Sequence, residues 1–204
     1  MSLVIPVAHD FICPWCWIAL FQAQDLEREF GVTFDWKGYE LFPEELEWPD
    51  APAKPAGNPE KPATPSRLDL AYAAQGMTPP TARGPKKMRT FRAHQALEYA
   101  KDAGKGQAFL EILYRALYED GAAINEIEVL LGLAKGVIED LDDFRSAIEE
   151  KRFADRIVGF DDPANAAGVY NVPTFWIAGE RLAEQPLSVL RAKVQQALRE
   201  TASV

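Results

Sequence analysis

Leu3-Val4-Ile5-Pro6-Val7-Ala8-His9-Asp10-Phe11-Ile12-Cys13-Pro14-Trp15-Cys16-Trp17 carries a short apolar run into a closely spaced cysteine pair. Leu3 to Ala8 is brief and rich in branched side chains, which predicts a strand. From Pro14 to Phe30, apolar Leu20, Phe21, Leu26 and Phe30 alternate with polar Gln22, Gln24, Asp25, Glu27, Arg28 and Glu29. That pattern predicts a helix, with Gly31 as its stop. Val32 to Leu41 then sets Val32, Phe34 and Trp36 against Thr33, Asp35 and Lys37, which predicts a second strand. Strand, helix and strand in so short a span imply a parallel pair joined by a right-handed crossover.

The cysteines therefore fall where the first strand meets its helix. With Cys13 at the cap and Pro14 at the first helical position, Cys16 lies one turn on along the same face. Sulfurs placed this way can reach disulfide distance. The first sulfur meets the unpaired N–H groups and positive end of the helix, where a thiolate is stabilised. Cys13 is thus expected to attack and Cys16, deeper, to resolve the mixed disulfide. A zinc site would need four ligands, and the only histidines to add are His9 and His94, so no metal is expected. His9 could place positive charge near the thiolate or be an ordinary strand-end residue. Asp10 could handle protons or hold the turn. Trp15 and Trp17 could form an aromatic rim, although Trp17 suits a core equally.

Further along, Pro43 to Pro65 is too rich in proline for a helix or central strand, and is read as an extended connecting loop. Arg67–Gln75 predicts a short helix, and Thr78–Pro85 breaks it. Helices are expected at Phe91–Ala103, Gly106–Tyr118, Asn125–Leu133 and Asp142–Phe153, the last capped by Asp142 or Asp143. Ala164–Gly168 reads as a helical turn, Val172–Ile177 and Arg181–Ala183 as a strand pair, and Gln185–Glu200 as a closing helix. The expected architecture is α/β. A βαβ…ββα unit from residues 1–42 and 160–204 carries an all-helical insertion at 66–159, reached through the loop 43–65.

The 204 residues are 48% hydrophobic and 26% charged, ordinary globular usage for a chain able to bury a real core. A net charge of −9 argues against binding a phosphate backbone, so no nucleic-acid partner is expected. No run approaches the roughly 20 apolar residues of a membrane helix, and the first residues lack the basic, cleavable pattern of a secretion signal. Two cysteines and no others suit a reducing compartment, so a cytoplasmic protein, monomeric or homodimeric, is expected.

Asp10-Phe11-Ile12-Cys13-Pro14-Trp15-Cys16-Trp17, together with Val172-Pro173, resembles the DsbA family of thiol–disulfide oxidoreductases, with its FrnE-like subgroup the nearest pattern. Arg92-Ala93-His94-Gln95-Ala96-Leu97 and Arg115-Ala116-Leu117-Tyr118 are similar to the subgroup's helical insertion. The resemblance implies a thioredoxin-like fold and a cis Val172–Pro173 bond facing the cysteines. It also implies a catalytic pair Cys13 and Cys16, with Pro14, Trp15, Val172, Pro173 and His94 as substrate contacts. The substrate would be a protein or small-molecule disulfide, with no cofactor beyond glutathione as a co-substrate. The chain departs from the secreted enzymes in three places. Trp15 stands where they carry a histidine, apolar Val7 where they place a buried acid, and Arg89-Thr90 where relatives often have an asparagine. Two other classes stay open: a glutathione-dependent isomerase or transferase on the same fold, and a chaperone-like groove lined by Trp15, Trp17 and Trp176.

Overall fold

The computed structural model describes residues 3–48, 64–160 and 162–202; most of the proline-rich 43–65 stretch lies outside them. Strand β1 (Val4–His9) pairs in parallel with β2 (Thr33–Glu40), and helix α1 (Pro14–Phe30) makes the crossover between them. Gly31, in the left-handed region at φ 66°, closes α1 by donating its N–H to the Glu27 carbonyl. That conformation costs glycine little.

On the other side of β1 lies β4 (Thr174–Ile177), antiparallel, with Val7 opposite Phe175 and Ala8 opposite Thr174. Strand β5 (Glu180–Ala183) follows antiparallel. A two-residue strand β3 (Val158–Gly159) joins the far edge, so the sheet order is β3-β2-β1-β4-β5. This is the expected α/β, thioredoxin-like arrangement. Strand β4 starts two residues later than the sequence pattern suggests, because Pro173 has no N–H to give the ladder.

The insertion comprises α2 (Arg67–Ala74), α3 (Phe91–Asp102), α4 (Gly106–Tyr118), α5 (Ile127–Ala134) and α6 (Leu141–Glu149). Helix α7 (Asp162–Ala166) and the closing helix α8 (Leu187–Ala202) complete the chain. Both ends of α6 differ from the sequence reading. Asp140, not Asp142 or Asp143, caps α6, its side chain accepting the Asp143 N–H at 2.9 Å. The helix ends at Glu149 because Lys151 turns to φ 54°, and residues 154–156 form a separate short 3-10 turn. Strand β3 had no legible signal, being two residues long.

Helix α1 packs against α2, α4 and α8. Its first half is consequently buried on nearly every face: Cys16, Trp17, Ile18, Ala19 and Leu20 all lie in the core. Only its second half keeps the polar stripe of a surface helix. The cysteine-bearing end of α1 is thereby fixed between the sheet and the helical block.

Candidate active site

Cys13 occupies the N-cap of α1 in an extended conformation, and Pro14 takes the first helical position. The turn before it closes on itself, Cys13 donating its N–H to the Asp10 carbonyl at 3.2 Å. The Cys13 carbonyl in turn accepts the N–H groups of Cys16 (2.9 Å) and Trp17 (3.3 Å). Both cysteines are free thiols, Cys13 7% exposed and Cys16 fully buried. Burial, followed by the hydrogen bond and charge of Cys13, pushes the Cys16 thiol well above the usual range, and the Asp10 charge adds to the rise. Cys16 therefore stays protonated at neutral pH while it is buried.

Opposite Cys13 lies the loop before β4. The Val172–Pro173 bond is cis, and the Cys13 thiol donates to the Val172 carbonyl at 3.2 Å. Thr174 Oγ1 ties that loop to the Asn171 carbonyl at 2.7 Å, and the Glu184 N–H donates to the Pro173 carbonyl at 3.1 Å. The fold thus brings together Cys13, Pro14, Cys16, Val172 and Pro173.

Beneath the turn is a buried polar layer. Asp10 is fully buried, and its carboxylate accepts Thr90 Oγ1 at 2.6 Å, the Leu41 N–H at 2.7 Å and the Ile12 N–H at 3.4 Å. Of the two roles open to Asp10, these bonds establish that of turn holder. His9 is equally buried; its Nδ1 shares a 2.9 Å hydrogen bond with the Tyr114 hydroxyl, which also donates to the Asp10 carbonyl at 3.3 Å. Burial, then the neighbouring His94 and Lys101, holds His9 well below the ordinary histidine range. Held neutral in this way it brings no positive charge to the thiols, so of the two roles left open for His9 the charged one is set aside. Glu40 accepts the Thr90 and Phe91 N–H groups at 2.9 and 3.0 Å, a carboxylate on the start of α3. Burial nevertheless raises its pKa.

His94 requires a correction of the same kind. It is 1% exposed, packed edge-on against His9 and tilted against Phe11, with Nε2 3.5 Å from Asp10 Oδ1. It rests on Gly38 of β2, where any Cβ would come within 2.8 Å of its Nδ1. Such a sealed ring supports the turn from behind and offers no surface to a substrate. Trp17 resolves toward the core, stacked at 5.3 Å on Tyr118, whereas Trp15 stays half-buried at the rim. Arg89 is committed to the carbonyls of Phe42, Pro43 and Leu46, fastening the chain after β2.

Helix α2 contributes groups that the sequence did not single out. The Arg67 guanidinium lies 4.8 Å over the Trp15 ring and pairs with Glu184 at 3.0 Å. Tyr72 is 2% exposed, its hydroxyl buried without a partner, and burial together with the nearby Cys13 pushes it up to about 12. The one available signal was Ser66-Arg67-Leu68-Asp69, which forms a reciprocal capping box and so marks where α2 begins. A cavity of about 830 Å³ lies elsewhere, between Glu40, Arg89, Phe91, Arg92 and Lys151, and neither cysteine lines it. The chemistry of the thiols belongs to the rim around Cys13, not to that cavity.

A family model, the DSBA-like thioredoxin domain, matches residues 4–195. The uncharacterized protein YwbO of Bacillus subtilis (strain 168) is 24% identical over 186 residues, covering 87% of this chain and 88% of that one. Among solved structures, a probable DsbA oxidoreductase from Streptomyces coelicolor superposes with a TM-score of 0.70 at 21% identity, covering 98% of this chain and 91% of its own. The cytosolic disulfide reductase DsbM from Pseudomonas aeruginosa, solved with GSH, gives 0.63 at 21% identity, with 97% and 100% covered. The chain belongs to the DSBA-like thioredoxin domain family.

Proposed function

We propose that this DSBA-like chain passes electron pairs between the Cys13–Cys16 dithiol and the disulfide of a protein or small molecule. The observation that carries the reading is the placing of the two sulfurs. Cys13 sits at the rim with its S–H on the Val172 carbonyl, and Cys16 is sealed one helical turn behind it. That order assigns the roles. The Cys13 thiolate attacks a substrate disulfide, a Cys13–substrate bond forms, and the first substrate thiol leaves with a proton. Cys16 then loses its proton and displaces the second substrate thiol, closing Cys13–Cys16. Two electrons have moved from the dithiol to the substrate; run backwards, the same steps oxidise a dithiol.

Val172 and Pro173 form the opposite wall. Once Cys13 gives up its proton, the Val172 carbonyl is free to accept an N–H from an extended substrate segment. Pro14 and Trp15 provide the near wall. A reducing cytoplasm, with glutathione as the small thiol that recharges or resolves the pair, suits a chain whose two cysteines are this one pair. Among the described residues no helix is long and apolar enough to cross a membrane.

The test is turnover of a model disulfide. Cys13→Ser should abolish it, and unchanged turnover would remove the assignment. Cys16→Ser should stall at a mixed disulfide on Cys13. Full turnover of that variant with glutathione supplied would favour a glutathione-dependent isomerase or transferase instead. Peptide binding that survives alkylation of both thiols, with no exchange beforehand, would favour a chaperone-like groove.

A further inference from the structure

The rim around Cys13 is a closed ring of contacts. Cys13 touches Val172; Pro173 accepts from the Glu184 N–H; Glu184 pairs with Arg67; Arg67 covers Trp15, which stands between the two cysteines. The one link in this ring made of two opposite charges is Arg67–Glu184. The Arg67 side chain is 72% accessible and that of Glu184 18%. Every other link is a backbone hydrogen bond, a thiol contact or a ring face.

We infer that Arg67 selects substrates, holding a carboxylate placed next to the scissile disulfide in exchange for Glu184. The inference rests on the thiol-exchange reading of the same site. Three observations support it. First, a guanidinium is a planar fork suited to two carboxylate oxygens, so one carboxylate can replace another without moving the Trp15 stack. Second, the Arg67 side chain is largely exposed at the rim, so its cation can be reached by a substrate group although the chain's net charge is −9. Third, Glu184 is held at φ 48° with its N–H fixed on Pro173, so it keeps its place at the rim when its partner turns to the substrate. The exchange conserves charge: one ion pair breaks and one forms. It also opens the ring over a nucleophile that is otherwise only 7% exposed.

The experiment mixes reduced protein with three disulfides of similar size. Dithiodipropionate bears two carboxylates, hydroxyethyl disulfide is neutral, and cystamine bears two ammonium groups. Oxidation of Cys13–Cys16 is followed in a single turnover by alkylation and mass spectrometry. The disulfide itself is the oxidant, and each event yields two substrate thiols. With each rate normalised to that disulfide's rate with free dithiothreitol, which removes the effect of leaving-thiol pKa, wild type should favour dithiodipropionate over cystamine. Arg67→Ala should cut that ratio about two- to five-fold, the range for an exposed ion pair. Arg67→Glu should reverse the preference, and Glu184→Gln should accelerate the dianion. Added salt should compress the ratio.

Equal acceleration of all three disulfides in Arg67→Ala would overturn the inference, reducing Arg67 to a latch; so would a wild type without charge preference. No oxidation of wild type by any of them would overturn the exchange reading beneath it. Oxidised glutathione and an aspartate-flanked peptide disulfide separate the sources of the carboxylate. A rate loss in Arg67→Ala with one of them identifies a small thiol or an acidic protein segment, and no loss with either overturns the inference.

Discussion

Removing the Thr90 hydroxyl tests whether the buried layer beneath the cysteines holds the turn that presents Cys13. Thr90 Oγ1 donates to Asp10 Oδ1 at 2.6 Å, with both residues fully buried. A hydrogen bond to a charged group contributes about 1.5–3 kcal/mol, more than a neutral pair. Thr90→Val keeps the shape and leaves the carboxylate short of its shortest donor, so it should cost about 1.5–3 kcal/mol. For a chain of this size that corresponds to a fall in Tm of about 3–12 °C. Asp10→Asn should cost at least as much, since an amide cannot accept from Thr90, Leu41 and Ile12 together. The discriminating quantity is the coupling. In a double-mutant cycle of Thr90→Val with Asp10→Ala followed by urea unfolding, the pair should couple by more than about 1 kcal/mol, because each of these variants removes the same bond. A coupling below about 0.5 kcal/mol would refute the claim that this bond fastens the turn.

Gly38→Ala should destabilise by about 1–3 kcal/mol, the usual cost of overpacking, because its Cβ would come within 2.8 Å of the His94 ring. The cost should shrink in a His94→Ala background, and an undiminished cost would place the clash elsewhere. Two titrations follow from groups buried in neutral form. His9 stays neutral when folded but binds a proton below pH about 6.5 when unfolded, so stability should fall with acidification below that pH. The slope approaches about 1.4 kcal/mol per pH unit for one group, and urea midpoints between pH 7.5 and 5.5 should show it flattened in His9→Asn. Cys16 works in the opposite direction. The unfolded thiol ionises near pH 9 and the folded one far above it, so the reduced protein should lose stability as pH rises past 9. Cys16→Ala should reduce that loss, leaving the later loss from the buried Tyr72, Tyr114 and Tyr118 hydroxyls, and an unchanged slope around pH 9 would argue against the burial of this thiol.

The sequence displayed the reacting parts and concealed the supporting ones. Cys13, Pro14 and Cys16 are neighbours in the chain, and their position between a predicted strand and helix was enough to orient them. The βαβ start was equally legible, because Val32, Phe34 and Trp36 alternate cleanly. His94 was misread because its burial depends on a missing side chain at Gly38, a residue 56 positions away on another element. No periodicity on α3 reports that. Arg67 and Glu184 each look like ordinary surface charges; only the tertiary fold sets them 3.0 Å apart at the Trp15 rim. His9 and Asp10 had plausible roles in the chemistry, and it was burial, a tertiary quantity, that made them structural.

The two walls of the site come from segments 159 residues apart, Cys13 and Val172, and they meet because β4 pairs antiparallel with β1. Val7 opposite Phe175 and Ala8 opposite Thr174 set that register, and all four are wholly buried. A change there must disturb stability and chemistry together, since slipping the register by one residue would send alternate side chains to the wrong face. The contacts of Arg67 are of another kind. Its cation–π contact and exposed ion pair are each worth about 1 kcal/mol or less, small against the total stability of a domain. Substitutions at Arg67 can therefore change which substrates reach Cys13 while leaving the fold intact. The fold places the thiols through its sheet, and leaves access to them to a charged contact weak enough to exchange.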